Sequence, residues 1–124
     1  MRLALFVVML GLATNCAAAA DPPIKKGMGL HKMHARLVHA GWKPVETDLR
    51  FADGEPQRLV GDAGHIYRAG FHAVQMCSGT GLNYCIFNYI KKRRCLRVTT
   101  SGEYWYPDYE PEITSWSFDC PDKE

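Results

Sequence analysis

The sequence predicts an α+β fold: one N-terminal helix packed on an antiparallel sheet of about four strands, held by two disulfides. Three observations lead there. An apolar stripe at helical spacing runs through Leu30, Met33, Leu37 and Ala40. From Phe71 onward the pattern changes to short strand-like runs separated by turn residues. Cys77, Cys85, Cys95 and Cys120 fall in that second half, in a chain that begins with what reads as an export signal.

That signal is the first element. Arg2 supplies a positive start, Leu3 to Leu12 is an almost unbroken apolar run, and Ala18-Ala19-Ala20 is a small-residue cleavage site. The run is too short for a bilayer span, which takes ~20 residues. Cys16 would invite lipidation, but Asn15 stands where such signals want a small residue. Residues 1–20 are therefore expected to be a signal peptide. Residues 21–124 are expected to be a single small disulfide-stapled domain, periplasmic or secreted. Without Arg2 the chain has fourteen Lys+Arg against thirteen Asp+Glu, a net charge of +1. That balance gives no general attraction for nucleic acid.

The helix is expected over Leu30 to Ala40, stopped by Gly41, with Trp42 to Val45 extended beyond it. Residues 46–70 are rich in turn formers, with short edge strands expected at Gln57–Val60 and Ile66–Arg68. Strands follow at Phe71–Cys77, Cys85–Ile90, Cys95–Thr100 and Ile113–Phe118. A first hairpin centred on Gly81 sets Cys77 opposite Cys85 and Ala73 opposite Tyr89. A second, centred on Lys92-Arg93, sets Phe87 opposite Val98 and Tyr89 opposite Leu96. Because side chains alternate, Cys95 then points away from Cys77 and Cys85, which favours the pairs Cys77–Cys85 and Cys95–Cys120. The other sheet face carries Val74, Met76, Ile86, Ile90 and Cys95, too apolar for open solvent. Trp116 and Phe118 are expected to cover it, the alternative being a partner.

Gly27-Met28-Gly29-Leu30, then Leu37 and Ala40-Gly41-Trp42, resembles the helix of PASTA modules, the small cell-wall-sensing domains of bacterial kinases and penicillin-binding proteins. In that family a Gly-Met turn enters a helix that ends in Ala-Gly-apolar. The match covers residues 27–42 and departs from the pattern at Met33 and Ala35. Cys77-Ser78-Gly79-Thr80-Gly81 through Cys85, with the Ala-Gly-Trp exit, is similar to a group of small uncharacterised exported bacterial proteins. That resemblance implies a fold and a location and carries no activity.

Candidate chemistry is sparse. His31 and His34 can share a helix face, but His39 lies about 140° from His34 around a helix of ~3.6 residues per turn. A solvated helix face is expected there, with no metal and no cofactor. Ser78-Gly79-Thr80-Gly81 lacks the Lys and following helix of a phosphate cradle and reads as a locked hairpin tip whose Ser78 and Thr80 could meet a partner. Lys91, Lys92, Arg93 and Arg94 form a compact positive tip. Glu103 to Glu112 is acidic, aromatic and proline-bearing, and Tyr104, Trp105 and Tyr106 in it are typical interface anchors. No spacing singles out a nucleophile with its base or a pair of acids. The sequence thus points to a non-catalytic exported binding protein, concretely an inhibitor or immunity protein for an exported hydrolase or toxin. The alternative is a peptidoglycan-binding module.

Overall fold

The computed structural model describes residues 21–46 and 59–120, together with Gly11. The segment expected to be a signal peptide, including Cys16, lies otherwise outside the described residues, as do positions 57 and 58 of the first expected edge strand. Among the described residues the chain forms α1 (Leu30–His39), β1 (Lys43–Pro44), α2 (Gly61–Arg68), β2 (Val74–Cys77), β3 (Cys85–Lys91), β4 (Arg94–Ser101) and β5 (Glu112–Ser117). All pairings are antiparallel, in the order β1-β3-β4-β5, with β2 sharing the outer edge of β3 with β1. The fold is α+β, with a second helix and a fifth strand beyond those expected.

Each helix stops for the same reason. After α1, Gly41 at φ +93° lets its N–H reach Val38 O, and Trp42 N–H turns back to Leu37 O. After α2, Gly70 at φ +107° bonds Tyr67 O, and Phe71 N–H bonds Ile66 O. Both ends are Schellman motifs, with a buried apolar pair across the exit, Trp42 on Leu37 and Phe71 on Ile66. Ala40 caps α1 instead of continuing it. The edge strand expected at Ile66–Arg68 is corrected: these residues close α2, because their backbone bonds run locally to the Ala69-Gly70-Phe71 exit. Leu59 and Val60 precede α2 outside any strand.

One core lies between the helices and the sheet. Leu30, Met33 and Leu37 of α1, with Ala63 and Ile66 of α2, pack on Phe87, Tyr89, Leu96, Val98 and Ile113. Each fully buried aliphatic side chain is worth roughly 1.5–3 kcal/mol over an exposed one. The β3–β4 register is as expected, with Phe87 opposite Val98 and Tyr89 opposite Leu96. The cysteines pair Cys77–Cys85, directly opposed across β2 and β3, and Cys95–Cys120.

The β2 register needs a correction. An irregularity between Val74 and Met76 puts Val74 opposite Phe87 and brings Ala73 O onto Asn88 N–H, so Ala73 does not face Tyr89. Val74 thereby turns into the core, 2% exposed, instead of lining the second face. Nor does Trp116 cover that face. It pairs with Val98 and packs against the core from the helix side. Phe118 is 40% exposed beneath the Arg94 guanidinium, which sits 3.6 Å from its ring centroid. Ile86 and Ile90 stay half-buried and Met76 exposed.

Candidate functional site

The connection from β4 to β5 folds back on itself as a small hairpin. Trp105 and Tyr109 exchange both backbone hydrogen bonds, at 2.9 and 2.8 Å, around a cis Tyr106–Pro107 bond. This leaves Trp105, Tyr106 and Tyr109 exposed by 67%, 55% and 65%. Large aromatic surface left in water on an ordered turn is the feature to explain, since a core this size has use for such rings.

The hairpin is pinned at both feet. At the first, Tyr104 N–H donates to Asp62 Oδ2 at 3.2 Å. The same oxygen accepts from Asn83 Nδ2 at 2.7 Å, and Asn83 also donates to Gly102 O at 3.1 Å. Asn83 Oδ1 in turn accepts from Gly79 N–H. One buried amide, at φ +50°, thus ties α2, the loop inside Cys77–Cys85 and the start of the hairpin together. At the second foot, Glu110 Oε2 accepts from His31 N–H at 3.0 Å, and Leu30 N–H donates to Pro111 O. A carboxylate from far along the chain therefore caps the positive end of α1. Gly29 makes room for it, because a Cβ there would lie 2.0 Å from Glu110 Oε1.

Behind the hairpin lies a stack of rings. His31 faces Tyr106 at 3.8 Å between centroids and Tyr104 at 6.3 Å, with Phe71 edge-on at 4.8 Å. His34 meets Tyr89 with Nδ1 to hydroxyl 2.9 Å. Burial, and then the neighbouring His31, lower the His34 pKa below its ordinary value. Burial holds the Tyr89 phenol protonated far above its usual range. A neutral imidazole and a protonated phenol therefore share this hydrogen bond. Burial first, then Glu110 and Tyr106, also push the Tyr104 phenol up. The expected solvated histidine face is corrected for these two residues, since both rings pack inward. Among the described residues no group of three metal-ligating side chains forms.

In front, His65, Tyr104, Trp105 and Tyr106 line an open cleft of about 240 Å³. What they offer is flat ring surface, hydroxyls and nearby carboxylates, which can stack on and hydrogen-bond a visiting group.

The expected site residues separate into three places. Tyr104, Trp105 and Tyr106 come together at the cleft, with Tyr104 as its half-buried inner wall. Ser78 spends its hydroxyl inside its own loop, accepting Tyr84 N–H at 3.0 Å and donating to Thr80 O. Thr80 is exposed at the loop tip. The basic tip is not brought to the cleft. Lys91 pairs with Arg94 at the far end of β4, Lys92 and Arg93 project from the turn, and Arg94 lies on Phe118. At ~3.3 Å per residue, the eight residues of β4 separate that tip from the hairpin end of the strand by roughly 20 Å.

Asp62 and Asn83 carry no sequence signal for this site, and the histidines His31 and His65 reach it only through tertiary contacts. Tyr109 and Glu110 lay inside the segment singled out. Comparison with protein-family models, with curated protein sequences and with solved structures finds no match. Among the described residues no helix is long and apolar enough to cross a membrane.

Proposed function

We propose that this is a non-catalytic exported binding protein that engages another exported protein through the aromatic hairpin, in the manner of an inhibitor or immunity protein. The observation that carries this reading is the hairpin itself: three exposed aromatic rings on a turn fixed at both feet. Exposed Trp and Tyr lose little entropy on binding and dominate interface energetics. A turn held in advance by Asn83, Asp62 and Glu110 loses less still. Two disulfides suit an oxidising compartment.

The test is a crosslinking capture from the native envelope fraction with the oxidised protein as bait. One dominant exported protein should be recovered, and the combined Trp105→Ala, Tyr106→Ala, Tyr109→Ala variant should lose it while melting normally. Equal capture by that variant would sink the reading. Peptidoglycan binding is the second reading, favoured by the same rings, since aromatic faces also stack on sugars. Cosedimentation with purified peptidoglycan, abolished by the triple variant, would put it first.

A further inference from the structure

The cleft has a size and a charge that narrow its occupant. At about 240 Å³ it falls below the ~300–1,000 Å³ of sites that enclose a whole small molecule. It suits a single side chain presented by a larger partner. All four lining residues, His65, Tyr104, Trp105 and Tyr106, are rings. The faces of Tyr104, Trp105 and Tyr106 are electrostatically negative and attract cations.

The surroundings add charge of the same sign. Residues 103–112 hold four acids, Glu103, Asp108, Glu110 and Glu112, and no Lys or Arg. Two carboxylates are fixed against the ring cluster: Asp62 Oδ2 is 3.2 Å from the Tyr104 amide, and Glu110 Oε2 is 3.0 Å from the amide of His31, whose ring faces Tyr106. Glu103 and Asp108 are exposed on the hairpin. An anionic group would be repelled here, and a neutral sugar could hydrogen-bond the carboxylates but would leave their charge uncompensated.

We infer that the cleft receives an arginine side chain of the protein partner, its guanidinium flat on Trp105 or Tyr106 and its charge facing the hairpin carboxylates. The inference rests on the protein-binding reading above and supplies the chemistry it would recognise. A guanidinium is planar and weakly hydrated, so it stacks on rings better than an ammonium does. The chain already makes this contact once, with Arg94 3.6 Å above the Phe118 centroid.

The experiment titrates the oxidised protein with N-acetyl-arginine methylamide and with its citrulline counterpart, which has the same length and planarity but no charge. Amide NMR shifts of residues 103–110 and Trp fluorescence are the readouts. The arginine compound should bind at least about fivefold tighter than the citrulline one. Glu103→Gln with Asp108→Asn should erase that preference, and Trp105→Ala should abolish the shifts. Equal binding of the two compounds, or no shift from either at tens of millimolar, overturns the assignment. If it falls while the triple aromatic variant still loses its captured partner, the binding reading stands without it. If that capture is also unaffected, both fall.

Discussion

Replacing Asn83 by Ala should destabilise this protein strongly. The side chain is 6% exposed as a residue and makes three hydrogen bonds, to Asp62 at 2.7 Å, to Gly102 O at 3.1 Å and from Gly79 N–H at 3.1 Å. The bond to a carboxylate is worth roughly 1.5–3 kcal/mol and each of the other two about 0.5–1.5 kcal/mol. Gly79 is exposed, so water replaces part of its bond. Holding Ala at φ +50° costs about 1 kcal/mol more. At mid-range these give a net loss of about 4.5 kcal/mol. Unfolding entropy near ~2.1 cal/mol/K per residue, over the 104 residues from Asp21 to Glu124, is about 0.22 kcal/mol/K. The expected fall in Tm is thus about 20 °C. Thermal and urea unfolding under oxidising conditions measure it. Asn83→Gly is the control: it removes the same bonds but accepts the positive φ, and should recover about 1 kcal/mol. Asn83→Ala melting within about 0.5 kcal/mol of wild type would show that the amide is not the tie described.

Four further outcomes are expected. His34, whose folded pKa lies below its unfolded value, is more easily protonated in the unfolded chain. Its contribution is therefore present above pH ~6.5 and lost as the pH falls through the lowered folded value. Urea unfolding at several pH values should show this loss, and His34→Gln should flatten it. Gly29→Ala puts a Cβ onto Glu110 Oε1, displaces the α1 cap and should cost about 1–2 kcal/mol by thermal melting, more than Glu110→Gln. Opening Cys95–Cys120, with sequence separation 25 against 8 for Cys77–Cys85, should be the costlier loss, about 3.5 against 2.6 kcal/mol from loop entropy. The corresponding Ser pairs, compared by urea unfolding, check the order. Trp105→Ala, at a position 67% exposed, should change stability by less than about 0.5 kcal/mol yet weaken partner capture at least tenfold, read from the recovered crosslink.

The parts of this fold legible in the sequence were those written in local period and spacing. The α1 stripe, the β3–β4 register and the two cysteine pairs follow from alternation and short turns. The second helix was obscured by its composition, Gly61-Asp62-Ala63-Gly64, which reads as a turn. Gly64 is there for packing, since a Cβ on it would lie 2.6 Å from Leu59 O. One available signal was Ala69-Gly70-Phe71, which repeats the exit Ala40-Gly41-Trp42. The slip at Gln75 moved Val74 to the other face, and one-residue irregularities leave no mark in an alternating pattern. At the site, the aromatic and acidic residues of 103–112 announced themselves by composition. Their supports, His31 on α1, Asp62 and His65 on α2, and Asn83 in the Cys77–Cys85 loop, are far apart in sequence and meet only in three dimensions.

The lacing of residues 27–30 to residues 111–113 has a bearing on the order of assembly. Gly27 N–H bonds Ile113 O, Ile113 N–H bonds Met28 O, and Gly29 bridges to Glu112. The first helix thus emerges from synthesis about eighty residues before the segment that completes its entry. Joining ends so far apart costs about 4 kcal/mol of chain entropy, which the short hairpins must recover first. The β3–β4 hairpin should therefore nucleate the molecule, with the helix entry among the last contacts to close. In pulse-labelled hydrogen exchange, the amides of Leu30 and His31 should gain protection after those of β3 and β4.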